Sequence, residues 1–124
     1  METGLAVKTT GFNHHSKKGE TVIHVIATID LAPDTRDAFL AEFRKLVPEV
    51  KAEAGCIDYG PAVDADTEIP TQARIGPNKV VIVEQWDSVA ALKAHAVAPH
   101  MQAYRVRVKE FVKGMELRIL APVS

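Results

Sequence analysis

Thr21–Asp30, TVIHVIATID, carries apolar, mostly β-branched residues on both of its alternating faces. No other stretch limits the available folds so much. A strand apolar on both sides belongs in the middle of a sheet, paired at both edges. Three further runs can join it: Cys56–Ala65, Val80–Trp86 and Met115–Ala121. A helical pattern separates the first two strands. Pro33-Asp34 gives its start, with Asp34 able to cap and Asp37 beside the positive end of the helix dipole. Phe39, Phe43, Leu46, Val47 and Val50 recur at the spacing of one helix face. Pro48 should kink or loosen the last turns, and Gly55 ends the pattern. Residues 66–79, DTEIPTQARIGPNK, form a connecting loop or wide hairpin. After the third strand, Asp87 or Ser88 caps a short helix over about Val89–Ala96. Pro99 breaks and restarts it. Met101, Tyr104, Val108 and Phe111 then continue at near-helical spacing to about Val112, and Gly114 stops the helix before the fourth strand.

The order is βαββαβ, the ferredoxin-like arrangement of the α+β class. It predicts a four-stranded antiparallel sheet with helices on one face. The other face is left bare, and stacking two such faces in a homodimer is the simple way to bury it. Residues 1–20 stand apart as an N-terminal extension to a domain over 21–124. Leu5, Val7 and Thr9 alternate there, which suits a short strand or an arm laid on a partner subunit. The His14-His15 pair of that arm reads as solvated.

Several function classes are excluded or unsupported. A chain of 124 residues with net charge −1 and interspersed charges has no electrostatic footprint for nucleic acid. No run approaches the roughly 20 apolar residues of a membrane span, and no apolar signal region opens the chain. A cytoplasmic location is expected. Cys56 is the lone cysteine, so no intrachain disulfide forms, and it reads as a buried, inert thiol. There is no glycine-rich phosphate loop, no dinucleotide fingerprint, and no HxxxH or HExxH pattern. Nothing in the residues asks for a cofactor or a metal.

The chemistry concentrates between Val80 and Tyr104, VVIVEQWDSVAALKAHAVAPHMQAY. Strand parity puts Val80, Ile82, Glu84 and Trp86 on one face. If buried, Glu84 must be paired with a cation or hold its proton more tightly than usual. Trp86 is either core or the wall of a slot that stacks a planar ligand. His100 and Tyr104 are one helical turn apart and should face the same way, a plausible proton-transfer pair. His95 lies beyond the Pro99 break, so helix geometry does not relate it to His100. Either histidine is alternatively a helix cap or the partner of a buried carbonyl. Met101 shares the apolar side of the same helix. Tyr59 points either to the pocket or to a dimer face, and His24 is a further pocket candidate.

The motifs VPEVKAEAGCIDY, VEQWDSVAALKAH, PHMQAY and LRILAP occur in an order and spacing that resembles the antibiotic biosynthesis monooxygenase superfamily, most like its small bacterial quinol monooxygenases. The resemblance covers about residues 22–122. It implies a dimeric α+β barrel, each subunit's pocket lying between sheet and helices. It also implies oxygen chemistry with neither metal nor flavin: a deprotonated phenol or quinol is electron-rich enough to reduce O2 directly. Such a site needs an apolar planar slot, a base and donors for the resulting anion. Trp86 would supply the slot, His95 or His100 the base, and Tyr104 and His24 the donors. The haem-degrading branch places an asparagine on the first strand, and this chain has none there. The isomerase branch shares the two-histidine stretch. It would be favoured by Arg74 or Lys79 turning into the pocket. A ligand-binding dimer without catalysis would instead leave both histidines bonded to backbone outside any cavity.

Overall fold

The computed structural model describes residues 21–124. The expected arm at residues 1–20, with its Leu5–Thr9 alternation and its histidine pair, lies outside the described residues. The elements are β1 (Ile23–Leu31), α1 (Arg36–Lys51), β2 (Cys56–Ala62), β3 (Lys79–Trp86), α2 (Val89–Ala96), α3 (Pro99–Val108) and β4 (Val112–Leu120). The sheet is antiparallel with strand order β2-β3-β1-β4, so β1 is central as its apolar faces require. This is the ferredoxin-like α+β fold.

Parity organises the layers. Ile23, Val25, Ala27, Ile29 and Leu31 of β1 are buried against the helices, as are Val80, Ile82, Glu84 and Trp86 of β3. From α1 come Phe39, Phe43, Leu46 and Val50, the four buried positions of its stripe. Each such large apolar side chain contributes roughly 1.5–3 kcal/mol on burial. The opposite face carries His24, Ile26, Thr28, Val81 and Val83, and no helix of the described residues lies over it.

Local details differ from the sequence expectations for physical reasons. Asp34 does not cap α1: its backbone is left-handed (φ 64°), and Thr35 occupies the cap position instead. The Thr35 hydroxyl donates back to the Ala32 carbonyl at 2.7 Å. The helix runs on through Pro48 to Lys51. Pro48 and the Arg44 it deprives of a donor are both exposed, so water can take the freed carbonyl. α3 ends earlier, and β4 begins earlier, than the periodicity suggests. Gly114 lies inside β4 opposite Asp30, beside a register shift at Asp30/Leu31. Pairing with the central strand outweighs the helical pattern there.

Candidate active site

A cavity of about 400 Å³ lies between the sheet and the helices. Its floor is Val25, Ala27 and Ile29 of β1 with Ile82 and Glu84 of β3. Its roof includes Leu92 and His95 of α2 and Met101, Tyr104 and Val108 of α3. The positions on α3 follow one helical stripe, which explains why Met101 and Tyr104 reach the same space.

An aromatic series lines one side. Tyr104 meets Phe43 edge to face at 5.8 Å, Phe43 stacks on Tyr59 at 5.4 Å, and Tyr59 meets His95 edge-on at 5.4 Å. His95 in turn tilts over Trp86 at 4.7 Å. Burial holds the hydroxyls of Tyr59 and Tyr104 well above the ordinary phenol range, so both stay protonated as donors.

Tyr59 reaches the cavity because of a bulge. β2 pairs Cys56 with Trp86 but Asp58 with Gln85, so Ile57 is an extra residue. The shift sets Tyr59 opposite Glu84, on the cavity face. Without it, Tyr59 would face the bare side.

The polar centre is a network. One oxygen of Glu53 contacts both imidazoles: Nδ1 of His95 at 2.9 Å and Nε2 of His100 at 2.5 Å. A carboxylate only accepts, so each facing nitrogen donates. In a neutral His95 ring, Nε2 is then the nitrogen with the free lone pair. Glu53 follows α1 on a turn that closes at Gly55. Gly55 has φ 87°, and a Cβ there would fall 2.5 Å from the Ala91 Cβ. Its carbonyl accepts from the Asp87 amide at 2.8 Å. The turn thus docks on the start of α2, which Ser88 caps by accepting from the Ala91 amide.

Glu84 is the second carboxyl, 7% exposed and, among the described residues, without a cation beside it. Its Oε1 accepts from Trp86 Nε1 at 2.9 Å. Burial raises its pKa to about 7; the indole bond opposes that rise, and the Glu53 charge adds to it. Near neutral pH, Glu84 therefore exists as both acid and base.

The structure brings together Glu84, Tyr59, His95, Met101 and Tyr104 around one space. Three other candidates sit elsewhere. Trp86 is fully buried behind Glu84 and His95, so it is no ligand-stacking wall. His100 turns to Glu53 rather than joining Tyr104 at the cavity. His24 pairs with Gln85 and Leu120 and faces the bare side of the sheet. Glu53 escaped the sequence reading because it lies 42 and 47 positions from the histidines it joins. Its only local signal is a glutamate two residues before a turn glycine. Among the described residues, no group of three or more His, Cys, Asp and Glu is placed to hold a metal ion. Cys56 sits half-buried with its thiol pushed up to about 12 by burial, an inert group. No helix of the described residues is long and apolar enough to cross a membrane.

Fold and site together define a ferredoxin-like α+β protein that encloses an apolar small-molecule cavity with a buried carboxyl and a carboxylate-held histidine. The chain belongs to the antibiotic biosynthesis monooxygenase family, whose profile matches residues 22–107. It is 43% identical over 103 residues to the probable quinol monooxygenase YgiN of Escherichia coli strain K12, covering 82% of this chain and 98% of YgiN. Among solved structures it is similar to PA3566 of Pseudomonas aeruginosa, with a TM-score of 0.71 and 27% identity over 90% of this chain and 100% of that one. Rv0793 of Mycobacterium tuberculosis is similar too, with a TM-score of 0.68 and 28% identity over 84% and 97% of the two chains.

Proposed function

We propose that the protein is a cofactor-independent monooxygenase that oxidises a quinol or related phenolic aromatic with O2. One observation carries the reading: His95, fixed by Glu53, faces the same apolar cavity as Glu84 and two phenol hydroxyls. His95 Nε2 would take the phenol proton. The electron-rich phenolate then passes an electron to O2, and the radical pair recombines to form a carbon–oxygen bond at the adjacent ring carbon. The proton returns from His95 to give a hydroperoxide. Loss of the ring hydrogen as a proton and cleavage of the O–O bond leave a new carbonyl. Protonated Glu84, on the floor of the same cavity, would supply a proton to the departing hydroxide. Overall, quinol and O2 give hydroxyquinone and water; the substrate supplies all four electrons. Tyr59 and Tyr104 would donate to the developing oxyanion.

The isomerase alternative calls for Arg74 or Lys79 in the pocket. Arg74 donates instead to the Thr67 carbonyl at 3.3 Å, and Lys79 pairs with Asp30 in the sheet. The purely ligand-binding reading expects histidines bonded to backbone, and both are bonded to a carboxylate. We further propose a homodimer through the bare sheet face, and a cytoplasmic location, which suits a lone thiol and a reduced substrate.

Oxygen uptake with reduced menadione and a panel of quinols and anthrones, corrected for autoxidation, tests the activity. Incorporation of one labelled oxygen atom from O2 into the product is the expected result. Uptake no faster than the spontaneous rate across the panel would sink the proposal.

A further inference from the structure

We infer that Met101 is an oxidation site fed from inside the cavity. In occasional turnovers its sulfur takes the terminal oxygen of the substrate hydroperoxide, and the resulting methionine sulfoxide limits how long the enzyme works. The inference rests on the monooxygenase reading and adds a self-modification to the same site.

Met101 borders the cavity and is 7% exposed. Backbone bonds tie it to the base. The Ala98 amide donates to the His95 carbonyl at 3.1 Å, and the Met101 amide donates to the Ala98 carbonyl at 3.0 Å. Two consecutive turns therefore carry the chain from His95 to Met101. Tyr104 follows three residues later on α3 and faces the same space. In the proposed reaction His95 Nε2 returns its proton to the peroxide. The hydroperoxide thus forms within hydrogen-bond reach of that ring, at the end of the cavity where Met101 sits. Met115 is the one other methionine of the described residues, and it borders the cavity at the opposite end. It pairs with Ile29, whereas Glu84 pairs with Val25. Four residues of extended strand separate those partners, about 13 Å. Met115 is also 60% exposed, so the two methionines differ both in place and in contact with water.

Sulfur is the lining atom readiest to accept an electrophilic oxygen. Burial keeps the hydroxyls of Tyr59 and Tyr104 protonated, which makes them poor nucleophiles. The Cys56 thiol is held protonated and does not border the cavity. A thioether has no proton to lose, so its lone pairs are always available.

The diverted step balances. The hydroperoxide O–O bond breaks, an S–O bond forms on Met101, and the hydroperoxide hydrogen passes to the oxygen left on the ring. Sulfur loses two electrons and becomes a sulfoxide. The ring keeps an alcohol at that carbon and rearomatises to a trihydroxyarene, two electrons short of the hydroxyquinone. O2 thus takes two electrons from the quinol and two from sulfur. The change converts a flexible apolar side chain into a polar one. Met101 packs in the buried cluster with Phe43, Tyr59 and Tyr104, so the new oxygen disturbs the packing that shapes the slot.

The test follows the full chain as it turns over reduced menadione in air, with catalase present to destroy free peroxide. Trypsin places the two methionines in separate peptides, Ala94–Arg105 and Gly114–Arg118. A mass gain of one oxygen reports each sulfoxide. As turnovers accumulate, Met101 should gain oxygen severalfold faster than Met115, and the uptake rate should fall in step. With added hydrogen peroxide and no quinol, the order should reverse, because bulk oxidant reaches the exposed methionine first. Met101→Leu, of similar volume without the sulfur, should lose less of its own starting rate per turnover than wild type. Oxidation of Met115 ahead of Met101 during turnover, an unmodified Met101 after prolonged turnover, or equal decay in Met101→Leu would each overturn the inference and leave the monooxygenase standing. Uptake no faster than the spontaneous rate would overturn both.

Discussion

Replacing Glu84 by glutamine separates the chemistry of this carboxyl from its shape. Glu84 sits beneath the cavity with no cation of the described residues beside it, and burial moves its pKa from the ordinary 4.5 to about 7. The folded chain therefore holds the proton more tightly than the unfolded chain. Between those two values the unfolded state has released a proton that the folded state keeps. Stability must fall as pH rises through that window: the contribution is whole below the unfolded value and lost above the folded one. At about 1.4 kcal/mol per pH unit the loss amounts to about 3 kcal/mol. Glutamine keeps an oxygen to accept from Trp86 Nε1 but cannot ionise. Glu84→Gln should therefore be more stable than wild type by up to about 3 kcal/mol near pH 8.5, with the advantage shrinking to nothing by about pH 4. Urea unfolding of both proteins at several pH values would show it. Far-UV circular dichroism is the better probe, because the lone tryptophan is the residue bonded to Glu84. Parallel stability–pH curves for the two proteins would refute the buried, proton-holding reading of Glu84. The same variant should be slower in turnover, since the amide cannot deliver a proton.

Glu53→Gln keeps the size of the side chain but removes the anionic acceptor shared by His95 and His100. Oxygen uptake with a good quinol should drop roughly 10–100-fold, as for loss of other groups that orient a reacting imidazole; an unchanged rate would remove Glu53 from the mechanism. Gly55→Ala puts a Cβ 2.5 Å from the Ala91 Cβ at a φ of 87°. It should cost about 1–3 kcal/mol in thermal or urea unfolding and slow turnover by displacing Glu53. Val83→Asp places a charge in the middle of the bare sheet face, where Val83 is 43% exposed in the single chain. Light scattering at micromolar concentration should show a dimer for wild type and a monomer for the variant; a monomeric wild type would refute the proposed homodimer.

Much of the fold is legible in the chain because period and parity are local properties. The two-faced apolar run of β1 demands the central position, and the alternation in β3 already places Glu84 and Trp86 on one face. The Ser88 cap and Pro99 restart mark α2 and α3 at their observed starts. The site is less legible, because its groups meet through pairing rather than sequence. β1 is apolar on both sides, so parity alone did not say which face the helices cover, and His24 falls on the bare one. An extra residue at Ile57 turns Tyr59 from the bare face to the cavity, and no propensity of CIDY announces that bulge. His95 and His100, separated by Pro99, are unrelated by helix geometry yet meet at one oxygen of Glu53. That meeting requires β2 to lie beside β3 and Gly55 to press against the start of α2. Sequence by itself determined the elements, their order and the reactive side chains. Tertiary structure decided which of those side chains share a space, because strand register and close approach are set only when distant segments pack.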